Sequence, residues 1–218
     1  MKIVFLCSTN GSVLNELLKH SLVRELTDAV LCDRTCGSLQ VSEDYHVKSI
    51  LLQSSSGKEF SKKIENLYSE DNVVFISFYT KLLSKEFLSK HKGRVFNCHP
   101  TLLPSFKGLH GEEKNLESNY LFMGCTLHEV DEFIDNGKPV IQAAMPIDIN
   151  LNKMQNRHKI FLAQVYSTLQ FIYWIKTQKI IFNDIGWELI NIQRSVDIFN
   201  PNLDKNFFKK FGYKNELI

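Results

Sequence analysis

A mostly parallel α/β sheet with helices on both faces is predicted by three features of the sequence. Continuous apolar runs at Ile3–Cys7, Ala29–Cys32 and Asn72–Phe78 have the character of strands buried on both faces. Helical spacing fills the gap before the last of them, where Phe60, Ile64 and Leu67 recur with charges on the opposite side. Further on, Met154, Phe161, Val165, Leu169 and Ile172 recur at helical steps across residues 152–177, which predicts one long helix. Strands alternating with helices in this way build βαβ crossovers, and the fold class is α/β, Rossmann-like.

In chain order, the first strand turns polar at Ser8-Thr-Asn10-Gly11-Ser12 and leads into a helix carrying Val13, Leu14, Leu17 and Leu18. Strand, glycine turn and helix can hold an anion, because the first helical turn has free N–H groups and a favourable dipole. A plain βα turn is the alternative for a motif with one glycine. After the second strand, residues 46–52 predict a third, residues 58–68 a helix, and residues 82–88 another helix leading to a strand at Arg94. Pro100 must end that strand, since proline has no N–H for a ladder. Alternation then places Asn97 and His99 on one face and Cys98 on the other. Pro100, Pro104, Gly108 and Gly111 hold a stiff loop around them. Residues 112–119 predict a short helix, and Cys125–Val130 and Pro139–Met145 two strands joined by the acidic loop Asp131-Glu-Phe-Ile-Asp135-Asn-Gly137.

From Ile180 the chain carries Trp187, Phe199, Phe207, Phe208 and Phe211 among Asn, Asp and Lys. This extension is too apolar for disorder. It packs either on the body or on a second subunit, the latter implying a homodimer. The expected organisation is a catalytic domain over residues 1–178 and a C-terminal extension over 179–218.

Composition removes several function classes. A formal net charge of +2 over 218 residues gives no reason to expect nucleic acid. The opening Met1-Lys-Ile-Val-Phe-Leu-Cys7 is too short for a signal peptide or a membrane span, so no membrane partner is expected. Five cysteines, an odd number without close paired spacing and mostly in apolar runs, read as free thiols in a reducing, cytoplasmic compartment. His99, His110, His128 and Asp135 lack the spacing of a metal site, and no metal is expected.

In an open α/β sheet ligands bind at the carboxyl ends of the strands. Ser8–Ser12, Tyr79–Leu83 and Asn97–Pro100 all fall on that rim. A donor amide and an imidazole side by side at a strand end suit a reaction at a carbonyl carbon.

The loop Asn97-Cys-His99-Pro100-Thr-Leu-Leu-Pro104-Ser-Phe-Lys-Gly108, with Gly124-Cys-Thr-Leu-His128 and Asp135-Asn-Gly137-Lys-Pro-Val-Ile-Gln142 downstream, resembles the folate-dependent formyltransferase family. The resemblance extends over about the first 175 residues and includes the Asn10-Gly11-Ser12 turn. It implies transfer of a formyl group from 10-formyltetrahydrofolate, as co-substrate, to the primary amine of a phosphate-bearing small molecule. Asn97, His99 and Asp135 match the family's catalytic set. The residue types agree: amide and imidazolium can stabilise the oxyanion of a tetrahedral centre, and a carboxylate can help move the amine's proton. Folate binding is implied for Tyr79, Lys81, Leu82 and Leu83 with Leu88 behind them, and for the loop from Val130 and Asp131 to Asp135. Acceptor binding is implied for Asn10, Gly11, Ser12, Val13 and Pro100. His128 reads as a support or a core histidine. Without the family, Leu82, Leu83 and Leu88 read as core.

Departures fall on the acceptor side. The family's ribonucleotide-acting members read NGSN where this chain has Val13, and carry a glutamate a little beyond Arg157 where it has Phe161 and Leu162. After His110 the chain runs Gly-Glu-Glu-Lys where a more basic pattern is usual. Glycinamide ribonucleotide is favoured by size and by the turn, and a nucleotide-linked amino sugar by the departures. A tRNA-formylating relative would need a C-terminal barrel that the extension is too short to build, and the hydrolase of the family carries a further N-terminal domain. A catalytically idle folate-binding module is opposed by the intact catalytic set. A dinucleotide-binding dehydrogenase is opposed by the missing glycines.

Overall fold

The computed structural model describes residues 1–69, 72–183, 185–194, 197–214 and 216–217. Strands β1 (Lys2–Cys7), β2 (Thr27–Cys32), β3 (Ser49–Leu51), β4 (Val73–Phe78) and β5 (Val95–His99) lie in the spatial order β5-β4-β1-β2-β3 and pair in parallel throughout. Beyond β5 the sheet continues antiparallel through β6 (Phe122–Glu129) and β7 (Pro139–Pro146). A separate hairpin, β8 (Ile180–Asn183) with β9 (Gly186–Leu189), follows, and β10 (Phe199–Asn200) then closes the main sheet against β7. The predicted mostly parallel α/β sheet is the observed one, with an antiparallel wing.

Eight helices are described: α1 (Ser12–Leu18), α2 (Ser21–Leu26), α3 (Gly37–Asp44), α4 (Gly57–Glu65), α5 (Lys85–Lys90), α6 (Gly111–Glu117), α7 (Lys153–Lys176) and α8 (Phe207–Phe211). Alternation in β1 divides the core. Ile3, Phe5 and Cys7 join one cluster with Leu14, Leu17, Phe96, Tyr166 and Trp174, on the side of α1 and α7. Val4 and Leu6 join Phe60, Phe75, Phe87 and Val95 on the side of α4 and α5. The long helix starts where Asn152 accepts from the Gln155 N–H and the Gln155 side chain reaches back, a reciprocal cap. None of the described helices is long and apolar enough to cross a membrane.

Local expectations needed correction in three places. Helices α2 and α3 stand where no helix was expected: α2 is only six residues long, and α3 buries Ser38 and Ser42, which composition cannot distinguish from a loop. The third strand covers only Ser49–Leu51, because His46 takes a left-handed φ of 55° and turns the chain. The helix expected from Leu82 begins at Lys85, where Ser84 caps it by accepting from Phe87 N–H. From Ile180 onward, Trp187, Phe199, Phe207 and Phe211 are buried in the α7 cluster of this same chain.

Candidate active site

Phe96 and Cys98 enter the core on the α7 side, which turns Asn97 and His99 to the opposite face. Antiparallel register puts Asn97 opposite His128, His99 opposite Thr126, and Thr126 opposite Gln142. Residues paired in this way share a face, so five polar side chains form a row across β5, β6 and β7. The row holds down the proline-rich loop. Thr126 Oγ1 donates to the Thr101 carbonyl at 2.8 Å and accepts from Leu103 N–H at 3.0 Å, while Gln142 Nε2 donates to the Leu103 carbonyl at 2.9 Å.

His99 is held at one ring nitrogen and faces Asp135 with the other. Nε2–H donates to the Phe106 carbonyl at 3.1 Å, and Nδ1 lies 3.3 Å from Asp135 Oδ2. Asp135 is itself fixed, with Oδ2 accepting from Gly108 N–H at 2.7 Å. On its other side Asp135 Oδ1 is 3.7 Å from His128 Nε2. His128 Nδ1–H donates to the Glu129 carbonyl at 2.7 Å, and burial pushes this imidazole below the ordinary histidine range. Its Nε2 is buried and has no hydrogen-bond partner among the described residues. A neutral ring therefore turns a lone pair towards the Asp135 carboxyl. The Asn97 side chain, half-buried, makes no hydrogen bond among the described residues, and its amide is free for a ligand.

The expected folate residues divide into core and rim. Leu83 and Leu88 belong to the α4–α5 core, whereas Leu82 is 63% exposed. Tyr79 packs its ring 4.8 Å from Phe60. Lys81 Nζ donates to the buried Asp33 carboxylate at 3.0 Å, tying the β4 loop to the end of β2. Arg34 adds a paired contact to the same carboxylate, and together they hold Asp33 below the usual carboxylate range. Across the slot, Val130 N–H donates to the Val95 carbonyl, and Asp131 accepts from Phe133 N–H and Asn136 Nδ2, so its carboxylate braces its own loop. Lys85 and Glu132 join the two walls at 2.5 Å. On the acceptor side, Gly11 caps α1 with φ 78°, Asn10 and Ser12 are exposed, and the Val13 side chain packs on the core, leaving only its backbone to a ligand. Pro100 follows His99 directly and is half-buried.

The family model described as formyl transferase matches residues 1–168. The chain belongs to the formyl transferase family. Among curated proteins, this formyl transferase is 28% identical over 179 residues to phosphoribosylglycinamide formyltransferase of Escherichia coli, covering 74% of the chain and 84% of that protein. It is 37% identical over 91 residues to the human trifunctional purine biosynthetic protein adenosine-3, covering 41% of the chain. The chain matches only 9% of that human protein's length, and 5% and 10% of the fruit-fly and chicken proteins of the same name. Its fold is that of glycinamide ribonucleotide transformylase 1 from Symbiobacterium toebii, with a TM-score of 0.75 at 22% identity over 88% of this chain and 94% of that one. The Coxiella burnetii phosphoribosylglycinamide formyltransferase superposes with a TM-score of 0.76 at 21% identity, over 87% and 93% of the two chains.

Sequence reasoning passed over Thr126, Gln142 and Glu129 in this formyl transferase. The signal for the first was present, since Met123, Cys125 and Leu127 alternate with Gly124, Thr126 and His128. On the departing acceptor side, Arg157 Nε pairs with Glu112 Oε1 at 3.1 Å, and burial raises the Glu112 carboxyl above its usual range. Leu162 is buried, while Phe161 stacks on His158. Among the described residues no group of His, Cys, Asp or Glu is arranged to hold a metal ion.

Proposed function

We propose that this formyl transferase moves a formyl group from 10-formyltetrahydrofolate to the primary amine of glycinamide ribonucleotide. One observation carries the reading: Asn97 projects beside His99, whose Nδ1 edge meets Asp135 at 3.3 Å, all at the end of β5. The name of the Escherichia coli relative supports this acceptor, and that of the human relative supports a place in purine biosynthesis. Folate would lie between the Tyr79–Leu83 stretch, with Lys81 and Leu82 at its mouth and Leu88 behind, and the loop from Val130 and Asp131 to Asp135. The acceptor's phosphate would take the backbone N–H groups of Asn10, Gly11, Ser12 and Val13, beside Pro100.

As the amine nitrogen adds to the formyl carbon, negative charge grows on the formyl oxygen. Asn97 amide N–H and His99 Nδ1–H donate to it. Asp135 takes the proton released by the amine, directly or through a water. Its new hydroxyl then has an acceptor in His128 Nε2, 3.7 Å from Oδ1 before the reaction. Collapse of the tetrahedral centre breaks the bond to N10 of the folate, and the departing nitrogen takes a proton from His99. Five free cysteines suit a reducing, cytoplasmic setting for this chemistry.

The test is release of tetrahydrofolate, followed by absorbance, with glycinamide ribonucleotide and with dTDP-, UDP- and GDP-linked amino sugars. Stimulation by glycinamide ribonucleotide is expected. Stimulation by an amino sugar alone would replace the acceptor, and stimulation by none would end the transferase reading.

A further inference from the structure

The aromatic extension has no part in the chemistry described so far, yet it touches β5 through Phe182, which packs on Phe96, and meets the base of the Asp135 loop through Trp187, whose carbonyl accepts from Lys138 Nζ at 3.4 Å. Trp187, on β9, donates from its indole Nε1–H to Glu129 Oε2 at 2.9 Å. The other oxygen, Oε1, accepts from Gly93 N–H at 2.9 Å, in the turn before β5. Glu129 is thus a clamp between the extension and the strand that carries Asn97 and His99. Trp187 is buried, with 7% of the residue exposed, and its ring stands edge-on to Phe96 with centroids 6.0 Å apart. Lys138 lies over its other side, 4.1 Å from the ring centroid.

The clamped residue is the pivot of the loop that bears Asp135. Glu129 N–H donates to the Lys138 carbonyl at 2.9 Å, which closes the base of the loop from 130 to 137. The ladder alone does not secure this point, because β6 and β7 slip register between Leu127 and His128. Gly137 packs so closely there that a Cβ would stand 1.9 Å from the Glu129 carbonyl oxygen. That same carbonyl accepts from His128 Nδ1–H, whose opposite nitrogen faces Asp135. The charged and titratable groups facing His128 are Asp135, His99 and Asp131.

We propose that Trp187 is a positioning residue for formyl transfer, acting through Glu129 to hold His128 and the Asp135 loop against His99. This rests on the transferase reading above. The role differs from that of core packing because it runs through a polar contact, so shape and donor can be separated. A displacement of about 1 Å at a reacting group can cost up to about a hundredfold in rate, and loss of one anchoring bond should reach roughly a tenth of that.

The experiment compares Trp187→Phe, which keeps an aromatic ring and loses the donor, with Glu129→Gln, the double variant, and Phe207→Leu at the far end of the extension. Expected results are an approximately tenfold lower kcat in each of the first two with KM for both substrates unchanged, and a double variant no slower than either. Phe207→Leu should lower the melting temperature and keep kcat. The ¹⁵N ring signals of His128 and His99, followed against pH, should shift in Trp187→Phe and not in Phe207→Leu. Wild-type kcat in Trp187→Phe, or an equal loss in Phe207→Leu at matched stability, would overturn the proposal. Should no acceptor stimulate release of tetrahydrofolate by the wild-type chain, the transferase reading falls separately; the ring signals then decide whether the extension governs the cluster, and unshifted signals refuse it.

Discussion

Asp135 has a φ of 45°, in the left-handed region that aspartate and asparagine enter more readily than most side chains. Replacing it with asparagine separates charge from backbone strain. Asp135→Asn is expected to keep the melting temperature and lose about 10²–10³ in kcat, the scale of one transition-state partner. Asp135→Ala should lose the rate as well and also stability, by about 1–2 kcal/mol, because alanine resists that backbone state. Calorimetry beside steady-state rates separates the two, and near-wild-type turnover in Asp135→Asn would remove the carboxylate from the mechanism. His128 makes a pH prediction. Burial holds its folded pKa low, while the unfolded chain titrates it near about 6.5. Below that pH the unfolded state binds a proton that the folded state refuses, so stability is present above about 6.5 and falls as pH drops towards the folded value. His20, also held low by burial, adds to the same slope. His128→Gln should therefore flatten, without abolishing, the loss of stability on acidification, read from denaturant midpoints between about pH 7 and 5. An unchanged slope would contradict it.

At the scale of elements, α4 and the loop after β4 meet without a side chain between them. A Cβ on Gly57 would stand 1.7 Å from the Leu82 carbonyl oxygen, so only glycine lets α4 start where it does. Gly57→Ala must push the Tyr79–Leu83 stretch, proposed above as one wall for the folate, and overpacking of this kind costs about 1–3 kcal/mol. The expected outcome is roughly ten- to hundredfold weaker folate binding in a fluorescence titration, with kcat at saturation kept. Unaltered affinity would place the folate elsewhere. The same scale explains what could be read in advance. Strands buried on both faces announce themselves by unbroken apolar runs, and β1, β2 and β4 stood out for that reason. Helix α3 did not, because it turns Ser38 and Ser42 inward and bonds Ser42 Oγ–H to its own Ser38 carbonyl. Nor did sequence reveal that Glu129 meets Trp187, since residues 58 apart come together only through the sheet and the hairpin. Asn97 and His99 were legible because strand alternation is local; the partners of Lys81 were not, because Asp33 is fixed just beyond the end of another strand, β2.

Across the whole molecule the extension completes the core on the α7 side. Phe207 and Tyr213 pack on Tyr166, Asp204 accepts from Lys179 Nζ and from Trp174 Nε1–H, and β10 pairs with β7. Burying one large apolar side chain is worth about 1.5–3 kcal/mol. Losing Trp187, Phe199, Phe207 and Phe211 together approaches or exceeds the typical total margin of about 5–15 kcal/mol. A chain cut after Lys179 is expected to lose its cooperative thermal transition by circular dichroism, and a cut chain that melted like the whole one would show the extension to be dispensable. A further consequence follows from where the sheet changes direction. The polar row occupies β5, β6 and β7, whereas the Asn10–Val13 turn hangs from β1, with β4 between them. Alterations at Val13, or at the exposed Met154, Arg157 and His158 in the first turns of α7, fall outside the hydrogen bond by which Gln164 holds β5 under Asn97 and His99. A directed-evolution library confined to those two segments would vary the amine accepted while every member inherits the same formyl-moving half.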